Sequence, residues 1–236
     1  MDAPQDAPEP SPDPAAAPPG AADPRSDHEP PDPALRDLLR LSVALVLGDW
    51  PHLVELRRAQ GPDLPPDRAP AWREALLQAH LFAGIPRIVE AFGVLEQAGG
   101  LGVPGPEELA PPEDEAADQA RGFAFFEQVY GERAPRVRGM LEGYHPDWAR
   151  WVLGHAYGRV LTRPILGAAT RELLAVACLA ALGQDRQLAG HARGAVRCGA
   201  SPGQLHGALD AVADLLGAEA LGRSREVLET FGQAGG

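Results

Sequence analysis

The chain has 236 residues, 44% hydrophobic and 23% charged, the make-up of a soluble globular protein with one or two domains. A net charge of −12 argues against a nucleic-acid partner, and two cysteines, Cys178 and Cys198, are too few for a disulfide scaffold or a Cys-rich zinc site. No uncharged apolar run is long enough to span a bilayer, and the N-terminus lacks the basic and apolar regions of a secretory signal. The expectation is a bacterial-type cytoplasm with no membrane partner.

Residues 1–33 hold 11 of the 25 prolines and eight acids against one Arg. Such a stretch buries too little apolar surface to order itself and is predicted to be a disordered, solubilising tail. Order is predicted to begin at Asp32-Pro33, an N-cap followed by proline in the first turn. Leu35, Leu38, Leu39, Leu41, Val43, Leu45 and Val46 then make a helix too apolar for a surface one, stopped by Gly48. Helices follow over Trp50–Ala59 and Trp72–Ala83, then one after Pro86 that ends at Gly99-Gly100. Residues 98–113 read as a loop, and an acidic amphipathic helix runs up to Tyr130-Gly131.

Pro135–Tyr144 and Pro146–Leu161 read as helices, broken by Thr162-Arg163-Pro164. Thr170–Leu182 is nearly all apolar, Gly183 stops it, and Gln184–Cys198 resumes. Ser201-Pro202 starts a helix to Gly217, and a last helix reaches Phe231. Strand-like alternation is absent, so the predicted class is all-α.

An internal repeat is visible. An offset of 135 residues carries Arg36-Asp37-Leu38-Leu39 onto Arg171-Glu172-Leu173-Leu174 and Gly48 onto Gly183. An offset of 133 carries Gly84 onto Gly217. The expected organisation is a tail over 1–33, a first repeat over 34–100, a connector with an acidic helix over 101–134, and a second repeat over 135–236.

Gln184, Gln187, His191, Ala195 and Cys198 fall on one helical stripe. An antiparallel hairpin about Gly183 would bring Glu172 level with His191, since they lie 11 and 8 residues from the turn. A carboxylate beside an imidazole orients it and tunes it for proton transfer near neutral pH; the same pair also serves as a structural contact. All 21 basic residues are Arg, with no Lys and no Asn, which reads as GC-rich codon bias and excludes Schiff-base chemistry on a lysine.

The segment Thr162–Ser201 resembles the carboxymuconolactone decarboxylase family. The matching residues are Tyr157, Arg163, Pro164, Leu166, Arg171, Leu173, Leu182, Gly183, His191 and Gly199. The first repeat is similar in another part of the motif, Glu74-x-x-x-Gln78-x-x-x-Phe82-x-Gly84-x-Pro86. The related alkylhydroperoxidase D branch carries Glu-x11-Cys-x2-Cys-x3-His. Here the spacing is kept as Glu172-x11-Gln184-x2-Gln187-x3-His191, with both cysteines replaced by glutamine. Glutamine cannot supply the peroxide-attacking thiolate, so thiol peroxidase activity is the least expected outcome.

The resemblance implies an alkylhydroperoxidase D-like helical unit in two copies, assembled as a homotrimer. The apolar helices 35–47 and 170–182 are consistent with burial between subunits. It also implies cofactor-independent decarboxylation or proton transfer on a small carboxylated lactone or related acid. His191 would deliver the proton and Glu172 would orient it. Arg163 and Arg171 would grip carboxylates or else close salt bridges, with Tyr157, Gln184 and Gln187 along the wall. The two repeats depart from the family in opposite places: Leu56 stands at the His position of the first, and Gly207 at the Glu position of the second. One reading is a single composite site with Glu74, His80 or Phe82 added from the first repeat; the other is a non-catalytic oligomeric scaffold. No cofactor is implied, and no His-Glu-x-x-His or Cys-x-x-Cys supports a metal site.

Overall fold

The computed structural model describes residues 28–233 apart from 113, with backbone alone for 231–233. Residues 1–27 of the predicted tail lie outside the described residues. Every regular element among those described is helical.

Asp32 caps α1 (Pro33–Leu47) by accepting from the Leu35 amide at 2.8 Å, and Gly48, with φ of 75°, closes it. Proline in the first turn and a left-handed glycine after the last are the expected boundary marks. Helices α2 (Trp50–Ala59), α3 (Ala69–Ala83) and α4 (Ile85–Gln97) follow. A loop with a short 3-10 turn leads to α5 (Glu115–Tyr130), where Asp114 is the cap. After one more 3-10 turn (Gly131–Arg133) come α6 (Ala134–Tyr144) and α7 (Pro146–Arg150). The second half continues with α8 (Ala168–Ala181), α9 (Asp185–Arg197), α10 (Pro202–Asp210), α11 (Ala213–Leu216) and α12 (Ala218–Gln233).

Two departures from the sequence expectation matter. Pro146–Leu161 is not one α-helix: α7 passes directly into a π-helix over Trp151–Val160. The widened turns coincide with close packing: Gly158 lies against the Asp118 carbonyl and Gly122 against the Leu153 carbonyl. A Cβ at either glycine would collide with backbone, so α5 and the π-helix touch main chain to main chain. The predicted helix from Ser201 to Gly217 is also interrupted, between Asp210 and Ala213.

The apolar helices α1 and α8 pack against each other inside the chain. Leu39, Leu41, Leu45, Leu174 and Val176 are fully or almost fully buried in one core shared by α1–α4 and α8–α12. Their apolar character is therefore used within the protomer, which corrects the expectation that it serves contacts between subunits. A smaller cluster of Phe125, Phe126, Val129, Ala134, Leu153 and Tyr157 joins α5 to α6 and the π-helix.

Residues 28–31 run across α10. The Glu29 amide donates to the Gly203 carbonyl at 3.0 Å, and the Ser201 hydroxyl donates to its carboxylate at 2.8 Å. His28 stacks on His206 with ring centroids 4.7 Å apart and reaches Asp210 at 2.6 Å. This part of the predicted tail is ordered against the second half.

Candidate functional site

Gly183, with φ of 64°, turns α8 back along α9, and Glu172 and His191 meet across the hairpin. His191 Nδ1 lies 2.9 Å from Glu172 Oε2. A carboxylate only accepts, so Nδ1 carries the proton and Nε2 is left for chemistry. Glu172 is fully buried, whereas the His191 side chain keeps 12% of its surface exposed. The second oxygen, Glu172 Oε1, is buried without any hydrogen-bond partner. An unpaired buried carboxylate oxygen costs free energy, and such atoms in a folded protein call for an explanation.

Gly194 makes the pair possible. A Cβ there would stand 2.6 Å from Glu172 Oε2 and 2.6 Å from Val129 Cγ1. The bare backbone lets α5, the Glu172 side chain and α9 converge at one point.

Two tyrosines close the far side. Tyr130 ends α5 and lies against Gly190, and the Tyr157 hydroxyl, from the π-helix, donates to the Tyr130 hydroxyl at 3.2 Å. Burial raises both phenols above their ordinary range. The negative Glu172 raises both further, while nearby Arg193 pulls Tyr130 back down. Both therefore stay neutral and able to donate at physiological pH. Tyr157, an expected wall residue, is buried with its hydroxyl on Tyr130, a residue that the sequence marks only as the end of a helix.

The two arginines expected to hold substrate are placed elsewhere. Arg171 is 1% exposed and donates to Glu74 at 2.8 Å, to Gln78 at 3.2 Å, and to the carbonyls of Arg163, Pro164 and Leu166. Arg163 grips the same buried Glu74 at 2.7–3.0 Å. Consecutive helical residues point about 100° apart, so Arg171 faces α3 while Glu172 faces α9. Arg171 fastens α3 to α8 and Arg163 ties α3 to the segment before α8, and their hydrogen bonds go to Glu74, Gln78 and main-chain carbonyls, not to Glu172 or His191.

The composite site is likewise not assembled from the expected parts. Glu74 is taken by the two arginines. His80 Nε2 lies 2.7 Å from His155 Nε2 on the π-helix, and Phe82 packs on the main core. Gln184 and Gln187 are exposed at the start of α9, where the Gln184 amide donates to the Leu182 carbonyl at 3.3 Å.

Neither cysteine is a ready nucleophile. Burial pushes the Cys178 thiol up to about 12, and burial together with Glu172 pushes Cys198 up to about 11. Both are protonated thiols near neutral pH. Among the described residues, no group of three or more His, Cys, Asp or Glu is placed to hold a metal ion. No helix there is long and apolar enough to cross a membrane.

Residues 146–230 match the family model of the Carboxymuconolactone decarboxylase family, a span that contains both Glu172 and His191. The chain is also similar to Peroxisomal protein 2 of Schizosaccharomyces pombe (strain 972 / ATCC 24843). The two are 31% identical over 142 residues, which is 59% of this chain and 66% of that protein's length.

Proposed function

We propose that this chain, whose residues 146–230 carry the carboxymuconolactone decarboxylase match, acts throughout its length as a protein of that family. Its reaction is cofactor-independent decarboxylation, or a related proton transfer, on a small carboxylated lactone or similar acid. The observation that carries the reading is the Glu172–His191 contact at 2.9 Å, with a buried carboxylate behind a partly open imidazole.

The chemistry follows from that geometry. Loss of carbon dioxide leaves an electron pair delocalised from carbon onto the substrate carbonyl. The His191 imidazolium returns a proton from Nε2 to that carbon. Glu172 accepts from Nδ1, fixes the ring and stabilises its charged form, and solvent reprotonates the imidazole afterwards.

We further propose that the fold is a duplication with one site per chain. Gly84 and Gly217 share nearly the same backbone conformation, with φ of 76° and 77° and ψ of 162° and 160°, and Gly48 and Gly183 are both left-handed. In the first half Asp37 stands where Glu172 stands in the second. Asp37 is engaged by Gln60 at 3.0 Å and Arg68 at 3.3 Å, and Leu56 occupies the place of His191. That half keeps an acid but has no imidazole at the position that corresponds to His191.

The deciding experiment follows turnover of 4-carboxymuconolactone by ultraviolet absorbance, wild type beside His191→Ala. Turnover that disappears in the variant supports the reading. Equal rates in both remove His191 from the reaction, and no turnover by a folded wild type removes that substrate and strengthens a binding role. A homotrimer is part of the proposal and is checked by native mass spectrometry. For the compartment we propose the cytoplasm. The relative's name points to the peroxisome instead, and imaging of a fluorescent fusion separates the two.

A further inference from the structure

Three guanidiniums and two carboxylates are packed where α3, α8 and the loop after α4 meet. Arg163 and Arg171 share Glu74, and Arg73 takes both oxygens of Glu108 at 2.6 and 2.7 Å. All five side chains are buried or nearly so, the most open being Arg163 at 14%. One positive charge of this cluster therefore has no acid of its own among the described residues. Arg163 is where it can be met. Its Nε and Nη2 donate to Glu74 and to the Glu108 carbonyl, and its Nη1 has no partner among the described residues. In a poorly solvated setting an unspent guanidinium nitrogen favours an anion.

Arg163 also lines a cavity of about 330 Å³ between α3, α4 and that loop. The other walls are mostly apolar, with Leu77 from α3, Phe92 from α4, and Leu101 and Leu109 from the loop. Phe92 and Leu109 stay exposed there although both are large apolar side chains. The loop wall is held in place, since Arg73 donates to the Leu101 carbonyl and Glu108 accepts from the Gly105 amide at 2.9 Å. An apolar cavity of this size with a directional charged group is the usual form of a small-molecule site. Glu96 of α4 is the remaining charge in the lining; it is exposed and makes no ion pair among the described residues.

We propose that this cavity binds a small apolar carboxylic acid, its carboxylate on Arg163 Nη1 and its hydrocarbon body against Leu77, Phe92, Leu101 and Leu109. The negative charge of the ligand balances the odd guanidinium, and its body covers the exposed apolar side chains. The solvated Glu96 opposes that charge only weakly, and it sets a preference for an acid with one carboxylate over an acid with two. The site is separate from the Glu172–His191 pair, neither member of which lines it.

The test is calorimetric titration of the full-length protein with 3-phenylpropionate. Saturable binding with a Kd of about 1 mM or tighter is expected. The alcohol 3-phenylpropanol, the same body with a neutral head, should bind about tenfold more weakly. Arg163→Lys keeps a charge for Glu74 but has no second nitrogen for the ligand, and it should weaken binding by about tenfold. Phe92→Ser should weaken it to a similar degree, whereas Glu96→Gln should tighten it by about two- to threefold. His191→Ala should leave the Kd unchanged. No saturable binding, equal binding of the alcohol, a Kd indifferent to Phe92→Ser, or weaker binding in Glu96→Gln overturns the proposal. Loss of binding in His191→Ala overturns it as well, by placing the acid at the other site. Should Arg163→Lys fail to fold, the exposed Phe92 and Glu96 decide.

Discussion

Glu172 gives one carboxylate oxygen to His191 at 2.9 Å and keeps the other buried with nothing to accept from. The fold thus holds a group in a state that folding alone does not favour. Glu172→Gln removes the buried charge and keeps an acceptor for Nδ1. It should lower turnover by roughly 10²-fold and raise Tm by a few degrees. Kinetics beside calorimetry check this, and a variant that loses both activity and stability would contradict it.

Gly194→Ala should damage the site without touching a reactive atom. Its Cβ stands 2.6 Å from both Glu172 Oε2 and Val129 Cγ1, and neither can retreat into open space. A stability loss of about 1–3 kcal/mol is expected, with the imidazole signal of His191 moved because its carboxylate partner is displaced. Urea unfolding and histidine-detected NMR measure the two effects.

Removing Glu74 leaves the buried Arg171 and the nearly buried Arg163 without their acid. Glu74→Ala should cost about 3–5 kcal/mol, the usual penalty for orphaning one side of a buried ion pair. That is a fall in Tm of roughly 10 °C for a chain of this size. Glu74→Gln, which keeps an acceptor, should cost less. A thermal scan of the two variants decides it, and equal losses would argue that packing, not charge, matters here.

Acid should loosen the loop between α4 and α5. Hydrogen bonds from Arg73, at 2.6 and 2.7 Å, hold the Glu108 carboxyl below the usual range against its burial. A carboxyl depressed in the folded state binds fewer protons there than in the unfolded chain. Its stabilisation is present above the unfolded value and is lost as pH falls through the folded one. The urea midpoint should therefore fall between about pH 5 and pH 3, and Arg73→Gln should flatten that slope.

Much of the backbone was legible because its signals are local. Asp32, Gly48, Gly183 and Ser201 act on the residues next to them, and each occupies the cap it was expected to occupy. The Glu172–His191 pair was legible from counting residues to the hairpin turn. The π-helix was not, because no local pattern marks it and the main-chain contact in which it sits pairs Gly158 with α5 and Gly122, about thirty residues upstream. Arg163 and Arg171 stayed open between substrate carboxylates and salt bridges, and the structure shows the salt bridges, to Glu74. Their partner Glu74 is about 90 residues away, and a sequence pattern does not distinguish a guanidinium that meets substrate from one that meets a buried acid. Tyr130 left one usable signal, a large aromatic in the last turn before a glycine.

The main-chain contact at Gly122 and Gly158 has a bearing on how this protein could diversify. Tyr130 and Tyr157 ride on the two elements joined there, so they form one plate set against α8 and α9. Side-chain substitutions can change what the plate presents but hardly where it stands. Descendants that accept a larger substrate would have to exchange the plate as a cassette, and an engineer grafting residues 115–160 from a homologue would be following the same seam.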